Sequence, residues 1–450
     1  MFPGKLCPLM QQVNLGIIGG GTVGSGVFHA LQRNGDLMAS RIGVKVHLHK
    51  IAVKAFDEPR PYPIPESYLT TDWQSVVNDP KVDIVAELAG GTGIARTMIL
   101  TALKLGKPVV TANKALLSAH GEELFSAAQE YKTNLYYEAS VAGGIPIIKS
   151  LREGFVGNRI THLYGIVNGT CNYILTRMKL EGAEFADVLA DAQKLGYAET
   201  PPDLDIDGWD SQHKIGILAS LAHGFWVNPK HIHVEGIRHI SALDMKFASD
   251  LGYTIKLLGI VKRIEESKDK PARKSQIQVS VYPTLIPHTH VLASVNHVFN
   301  AVFVRGDVVG DTLFYGRGAG KDATASAVLS DFADAALDLK FGTKNRVPPF
   351  VPHELDGAVL PMDEVVSRYF VRLSVVDRPG TLAKIAAIFG EASIGISSVI
   401  QPEGHEGESV PLILMIHDAP NAAMTRALAK IGKLPVVKAK PVMIRVESFE

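Results

Sequence analysis

Val13 to Ile18 is a short apolar run that ends in Gly19-Gly20-Gly21-Thr22-Val23-Gly24, and a helical pattern follows from Ser25 to Arg33. No other stretch restricts the fold as much. Gly19, Gly21 and Gly24 fit GxGxxG, and a strand, a glycine turn and a helix in immediate succession are the context this motif needs. The glycines allow a tight turn and let backbone N–H groups approach a pyrophosphate at a helix N-terminus. A glycine-rich turn without a ligand is the competing reading, and the context favours the dinucleotide site, with Gly19, Gly21, Thr22, Val23 and Gly24 at the cofactor. A second strand is expected from Val44 to Val53. In an NAD site this strand often ends in an acid for the ribose 2′-hydroxyl. Here Lys54 follows it, with Asp57 and Arg60 beyond. The positive end favours NADP over NAD, although Asp57 leaves NAD open.

Further strands are expected at Val82–Leu88, Lys107–Val110 and Leu135–Glu138, which together make an α/β domain with an open parallel sheet. Ligands of such sheets sit beyond the carboxyl ends of the strands. The fourth strand runs into Thr111-Ala112-Asn113-Lys114, which places Thr111 and Lys114 at that edge. Lys114 can reach the nicotinamide or a substrate there, or face water as an ordinary helix-start lysine. The fifth strand runs into Ala139-Ser140-Val141-Ala142-Gly143-Gly144-Ile145-Pro146. The carbonyls of this small-residue loop can hold a hard cation; a plain domain crossover fits the composition equally well.

A second chemical signal lies at Glu199–Lys214, ETPPDLDIDGWDSQHK, where Glu199, Asp203, Asp205, Asp207 and Asp210 precede a single lysine. Asp210 and Lys214 are four apart and share a face of a helix. The apolar run that follows implies a helix mostly covered by protein, which desolvates the lysine, lowers its pKa and suits it to proton transfer. Asp203, Asp205, Asp207 and Gly208 match the start of an EF-hand loop. The twelfth position, which needs a bidentate glutamate, is Lys214, so calcium is rejected. A capped surface helix with an ordinary Asp210–Lys214 ion pair remains a competing reading of the stretch alone.

Lysine plus arginine balance aspartate plus glutamate at 46 each, so nothing points to nucleic acid. Cys7 and Cys171, the only two cysteines, cannot build a disulfide framework. No apolar run reaches the roughly 18 residues of a membrane helix. These features lead to the expectation of a cytoplasmic protein without membrane or nucleic-acid partners.

Taken together, Gly19–Gly24, TANK at Thr111–Lys114, NGTCNYI from Asn168, GYAETPPDLDIDGWDSQHK from Gly196 and GRGAGKDATASAVLSD from Gly316 resemble, in this order, the homoserine dehydrogenase family over nearly the whole chain. Cys171 stands where a threonine is common and Pro201 where an aspartate is common. The resemblance implies reversible hydride transfer between NAD(P)(H) and L-homoserine or L-aspartate 4-semialdehyde, a step of threonine, methionine and isoleucine biosynthesis. It implies that Lys214 donates or accepts the proton, with Asp210 beside it and Lys114 near the nicotinamide. It also implies that Glu199 holds the substrate ammonium, that Asp205 is a further active-site carboxylate, and that Gly320 lies near the cofactor. Glu138, Val141, Gly143 and Ile145 match the family's sodium site. A homodimer or homotetramer is expected.

The resulting division is a Rossmann dinucleotide-binding domain at 1–146, completed by 316–340, and an α+β substrate-binding, catalytic and dimerisation domain at 147–315. A proline-rich linker at 341–366 and a C-terminal module at 367–450 follow. The module reads as βαββαβ, a ferredoxin-like order, and resembles an ACT domain through DRPGTLAKIAAIF. It is either a packing module or an amino-acid sensor. In the latter case L-threonine is the first candidate, at Asp377, Pro379, Gly380 and Thr381. The remaining alternative is a catalytically inactive amino-acid sensor on a Rossmann scaffold; intact Lys114, Glu199, Asp210 and Lys214 argue against it.

Overall fold

The structure of the chain, a computed structural model, describes residues 10–264, 275–343, 346–402 and 408–449. Cys7 lies outside the described residues. The chain divides into two compact units, one of residues 1–160, 216–229 and 305–355, the other of residues 161–215, 230–304 and 356–450.

The first unit is built on a parallel sheet of six strands: β1 (Gln11–Ile18), β2 (Val44–Ala52), β3 (Leu69–Thr70), β4 (Ile84–Glu87), β5 (Val109–Thr111) and β6 (Leu135–Tyr136). They lie in the order β3-β2-β1-β4-β5-β6. That is the doubly wound order, whose switch point falls between β1 and β4. Ile18, the last residue of β1, is in register with Ala52 of β2 and Glu87 of β4, so three carboxyl ends meet at the glycine turn. Leu15, Ile17, Ile51, Ile84 and Ala86 are buried because a parallel strand is covered on both faces. The first helix is longer than its sequence pattern, α1 (Thr22–Ile42). It ends where Gly43, at φ 67°, takes the left-handed conformation and returns its N–H to Ala39 O. The helix Lys321–Phe341 packs on α1 so closely that a Cβ at Gly26 would stand 2.6 Å from Lys321 O. The proline-rich stretch is packed rather than free. Pro349 O accepts from Tyr137 Oη, Val347 O accepts from Asn134 Nδ2, and the Phe350 ring meets Phe125 and Trp226.

The second unit is organised by the antiparallel pair Tyr253–Arg263 and Gln276–Pro287, with Ile160–Ile166 on the far side of the first strand. In the C-terminal module the strands are Val366–Val376, Ile396–Ile400, Ser409–Pro420 and Val442–Val446, and the helices are Thr381–Glu391 and Asn421–Ile431. In module order the strands lie 4-1-3-2, all antiparallel, over a core that includes Leu373, Phe389, Leu412, Leu414 and Met424. The fourth strand also pairs in parallel with Gln276–Pro287, matching Thr284 to Arg445 and Leu285 to Val446. The two sheets are therefore continuous, which a period-based reading of the sequence has no means of detecting.

Candidate active site

The glycine turn sits at the switch point of the first unit, and each glycine is there for a separate reason. A Cβ on Gly19, at φ 109°, would stand 2.5 Å from Leu88 backbone, and one on Gly24 would overlap Gly19 O. Gly21 faces open space, which leaves its backbone approachable. A cleft of ≈ 480 Å³ lies over this turn, lined among others by Gly19, Gly20, Gly21, Lys54, Glu58 and Trp73. Thr22 opens α1 and is exposed, whereas Val23 is partly buried against the core. The cleft fits the pyrophosphate and adenosine end of a dinucleotide: N–H groups at a helix start, a bare glycine and a lysine at the end of β2. Arg60 does not line it; its guanidinium donates to Ala55 O, Phe56 O and Glu58 O and so braces its own loop. The positive end expected after β2 thus reduces to Lys54, with Glu58 opposing it.

The same carboxyl edge of the sheet, on its β4–β5 side, is organised by a carboxylate that sequence reading passed over. Glu87, fully buried, accepts from Ala89 N (3.0 Å) and Gly90 N (2.9 Å) through one oxygen and from Thr111 Oγ1 (2.8 Å) through the other. Asn113 caps the next helix, accepting from Leu116 N at 3.1 Å, and donates to Gly91 O at 2.7 Å. One network therefore holds the Ala89–Gly91 loop, Thr111 and the start of the helix Lys114–Glu130, and it sets Lys114 at that helix start. The only sequence sign was an acid at the end of an apolar strand.

The expected cation loop is buried except at Gly144 and Pro146, and Ala142 and Gly143 take consecutive left-handed conformations at φ 56° and 50°. The Glu138 carboxylate points back to Ile148 N (2.9 Å) and Lys149 N (2.8 Å), and Glu138 N donates to Asp331 Oδ2 at 2.9 Å. Burial raises the Glu138 carboxyl to about 7 despite those two backbone bonds. Gly320, at φ 115°, is the cap of the helix Lys321–Phe341.

In the second unit the structure splits the acidic stretch. Asp203 and Asp207 both pair with Arg238, so two of the five carboxylates are committed to that arginine. Their number is therefore not accounted for by substrate binding alone. Asp205 and Asp210 turn inward to one amide: Asn168 Nδ2 donates to Asp205 Oδ1 at 2.8 Å and to Asp210 Oδ2 at 2.9 Å. Asn168 Oδ1 meanwhile caps the helix Gly169–Glu181 by accepting from Cys171 N at 2.8 Å. Lys214 Nζ donates to Asp210 Oδ2 at 2.7 Å and to Val167 O at 2.7 Å, on a buried face of the helix Trp209–His223. Burial raises the Asp205 carboxyl, and the nearby Asp210 and Glu199 charges add to this; the Asn168 bond opposes it. Burial likewise raises the Cys171 thiol, which donates to Asp205 O at 3.2 Å. Glu199 is exposed beside this group. Lys214, Asp210 and Asp205 are thus brought together by Asn168, a residue read in the sequence only as part of a motif. Its signal was positional: an asparagine at a strand end, just before a helix.

In the C-terminal module Gly380 takes φ 88° before the helix Thr381–Glu391. Thr381 is buried and its hydroxyl donates to Val376 O at 3.0 Å, while Asp377 N donates to Glu408 O at 2.9 Å. Pro379 and Gly380 are exposed, and Asp377 is half-buried.

A family model described as "Homoserine dehydrogenase, NAD binding domain" matches residues 19–138, and one described as "Homoserine dehydrogenase" matches residues 146–333. The chain is 42% identical to a homoserine dehydrogenase of Pseudomonas aeruginosa over 98% of this chain and 100% of that one. It is 38% identical to one of Bacillus subtilis, over 97% and 99%. Among solved structures, a homoserine dehydrogenase from Thiobacillus denitrificans superposes with a TM-score of 0.89 at 42% identity, covering 97% of this chain and 99% of that one. A hyperthermophilic archaeal homoserine dehydrogenase in complex with NADPH gives a TM-score of 0.60 at 28% identity, covering 73% of this chain and 98% of that one.

Proposed function

The chain belongs to the homoserine dehydrogenase family, and on that premise we propose how its residues divide the interconversion of L-homoserine and L-aspartate 4-semialdehyde. The nicotinamide, when bound, takes up or gives back the hydride. What remains for the protein is to place the amino acid and to move one proton at its terminal oxygen. Lys214 moves that proton. An ammonium has three N–H donors; Asp210 and Val167 O engage two of them, which leaves one for the substrate oxygen. Asp210 holds Lys214 in place. Asp205 and the exposed Glu199 supply negative charge for the substrate ammonium. Lys114 serves the nicotinamide end from the start of its helix. The observation that carries this reading is the Lys214–Asp210–Asn168–Asp205 cluster, since a surface ion pair would not share a buried amide with a second carboxylate.

NADP is preferred over NAD through Lys54. A sodium ion fits the backbone oxygens of Glu138, Val141, Gly143 and Ile145, because neutral carbonyls on a tightly turned, buried loop suit a hard monovalent cation. The C-terminal module is an ACT domain that answers to L-threonine at Asp377, Pro379, Gly380 and Thr381; its 4-1-3-2 strand order and its exposed left-handed turn support this. Thr381 contributes there through its backbone, its hydroxyl being engaged. The working form is a cytoplasmic homodimer or homotetramer, and among the described residues no helix is long and apolar enough to cross a membrane.

The first test is appearance of reduced nicotinamide when the full chain meets L-homoserine with NADP⁺ and then with NAD⁺, with and without sodium and L-threonine. Homoserine-dependent reduction, faster with NADP⁺, is expected. Folded protein that reduces neither cofactor over pH 7–10 would remove the dehydrogenase reading and leave an amino-acid sensor.

A further inference from the structure

The turn that carries Asp205 is gripped from behind by a segment that no catalytic argument uses. Residues 233–238 run from a short pairing on the strand Gln276–Pro287, with Val234 opposite Val281 and Glu235 N donating to Val281 O at 2.8 Å. Gly236 then lies flat on the acidic turn: a Cβ there would overlap Ile206 O and stand 2.5 Å from Asp207 Cα. Ile237 N donates to Ile206 O at 2.9 Å, and Arg238 holds Asp203 and Asp207. From the turn's own side, a Cβ on Gly208 would come within 3.0 Å of Val234 Cγ1. The turn is therefore fixed between Asn168 and Cys171 on one side and this strap on the other.

The strap is in turn anchored by the last strand of the chain. Glu235 pairs with Arg445 at 3.0 Å, and Arg445 Nη2 donates to Asn421 Oδ1 at 2.7 Å. The Arg445 guanidinium lies 4.4 Å from the centroid of the Tyr282 ring, and the residue is 2% exposed. Its Nε has no hydrogen-bond partner among the described residues. A buried arginine left incompletely paired is a poor choice for packing alone, since apolar residues of similar volume are as stable or more so. Its distinctive property is direction: it fixes where Glu235 points.

We propose that Glu235 and Arg238, and through Glu235 the buried Arg445, are positioning residues that set the placement of Asp205, so that the C-terminal strand Val442–Val446 is a working part of the substrate site. The consequence for Asp205 rests on the reading of that residue as a substrate-binding carboxylate. The C-terminal module thus acts on catalysis whether or not it binds an effector, and any movement of its fourth strand reaches the substrate turn through two contacts.

Steady-state kinetics of the full chain test this. Arg445→Gln raises the KM for L-homoserine about tenfold, the size of a typical coupling between sites, and leaves the KM for NADP⁺ unchanged. Arg445→Lys restores part of the loss. Gly236→Ala keeps every charged group and raises the homoserine KM in the same way. A purely structural role predicts instead a lower melting temperature and active fraction with both KM values intact. That result in folded Arg445→Gln and Gly236→Ala protein overturns the proposal. Amide hydrogen exchange of the same proteins without substrate gives a readout independent of turnover. The Asp207 and Gly208 amides, bonded to Asp203 O at 3.1 Å and Asp205 O at 3.0 Å, exchange at least about fivefold faster in Arg445→Gln and unchanged in the exposed-site control Lys438→Ala. Unchanged exchange in Arg445→Gln refutes the link. Faster exchange in a protein whose parent shows no homoserine turnover supports the link and removes only the substrate reading.

Discussion

Asn168 gives the sharpest test of the site, because a single amide group donates to two carboxylates that both need it. Asn168→Asp is nearly isosteric and keeps the oxygen that caps the helix Gly169–Glu181. It replaces an N–H₂ lying 2.8 Å and 2.9 Å from Asp205 and Asp210 with a third carboxylate oxygen. Each lost charge-assisted bond is worth about 1.5–3 kcal/mol, and the two are not additive because they share one group. Repulsion between charges at such distances adds about 6 kcal/mol at an effective dielectric of 20, enough to keep one acid of the three protonated. The combined disturbance at Lys214 and the substrate should cost about 3 kcal/mol of transition-state stabilisation, roughly a hundredfold in kcat/KM. The ascending limb of the pH profile should also move upward by about 2 pH units, since a shared proton must leave before Asp210 can hold Lys214. Asn168→Ser keeps a cap and removes both donors without new charge; it should lose activity with a smaller pH displacement. The assay is kcat/KM for L-homoserine from pH 6 to 10 on protein shown to be folded by its thermal melt. A folded Asn168→Asp enzyme with unchanged kcat/KM and an unmoved limb would refute the view that this amide organises the acid–base group.

Other consequences follow from separate parts of the molecule. Lys54→Ala should raise the KM for NADP⁺ about tenfold, one surface ion-pair-scale contact strengthened at a phosphate, with the KM for NAD⁺ unchanged; equal effects on both would remove Lys54 as the discriminator. Glu87→Ala strands the amides of Ala89 and Gly90; a loss of about 2–3 kcal/mol in stability and a raised cofactor KM are expected, measured by urea unfolding and kinetics. Glu235 has a pH signature. Burial lifts its carboxyl, but the His233 hydrogen bond and Arg445 outweigh that and hold it at about 2 against an ordinary 4.5. Its folded pKa is depressed, so its contribution is complete above pH 4.5 and is lost as pH falls towards 2. With the side chain 28% exposed, the contribution is at most about 3 kcal/mol. Glu235→Gln should flatten that part of the acid-unfolding curve, and an identical slope in parent and variant would count against the ion pair. Lys256 behaves in the same sense at higher pH: burial lowers it to about 7 from 10.5, so its share of stability should rise with pH between those values, a slope that Lys256→Met should abolish in melts from pH 7 to 10.

Much of this was legible before any coordinates. The glycine spacing after β1 fixed the dinucleotide turn, because only glycine tolerates the approach of Leu88 and the left-handed backbone at Gly19. Apolar periodicity located five of the six strands of the parallel sheet to within a few residues and missed the two-residue β3, and the motifs around Lys114, Asn168 and Lys214 pointed to the chemistry. Asp210 and Lys214 are one helical turn apart, so their pairing was a local property that spacing alone dictates.

What the sequence left undetermined depends on partners far away in the chain. Five acids in one short stretch look equivalent until Arg238 takes two of them and Asn168 takes another two, contacts that span 31–42 residues and have no periodic trace. Glu87 reads as an ordinary strand end until three donors, two from the loop after it and one from the end of β5, converge on it. The C-terminal module looks like a separate bead on a proline-rich linker. The pairing of Val442–Val446 with Gln276–Pro287, and the guanidinium of Arg445 buried against Glu235, join its sheet to the one behind the substrate turn. Local propensity and spacing specify elements and short-range pairs; which buried charge meets which is decided by packing, since an unpaired charge in the interior costs more than any local preference returns.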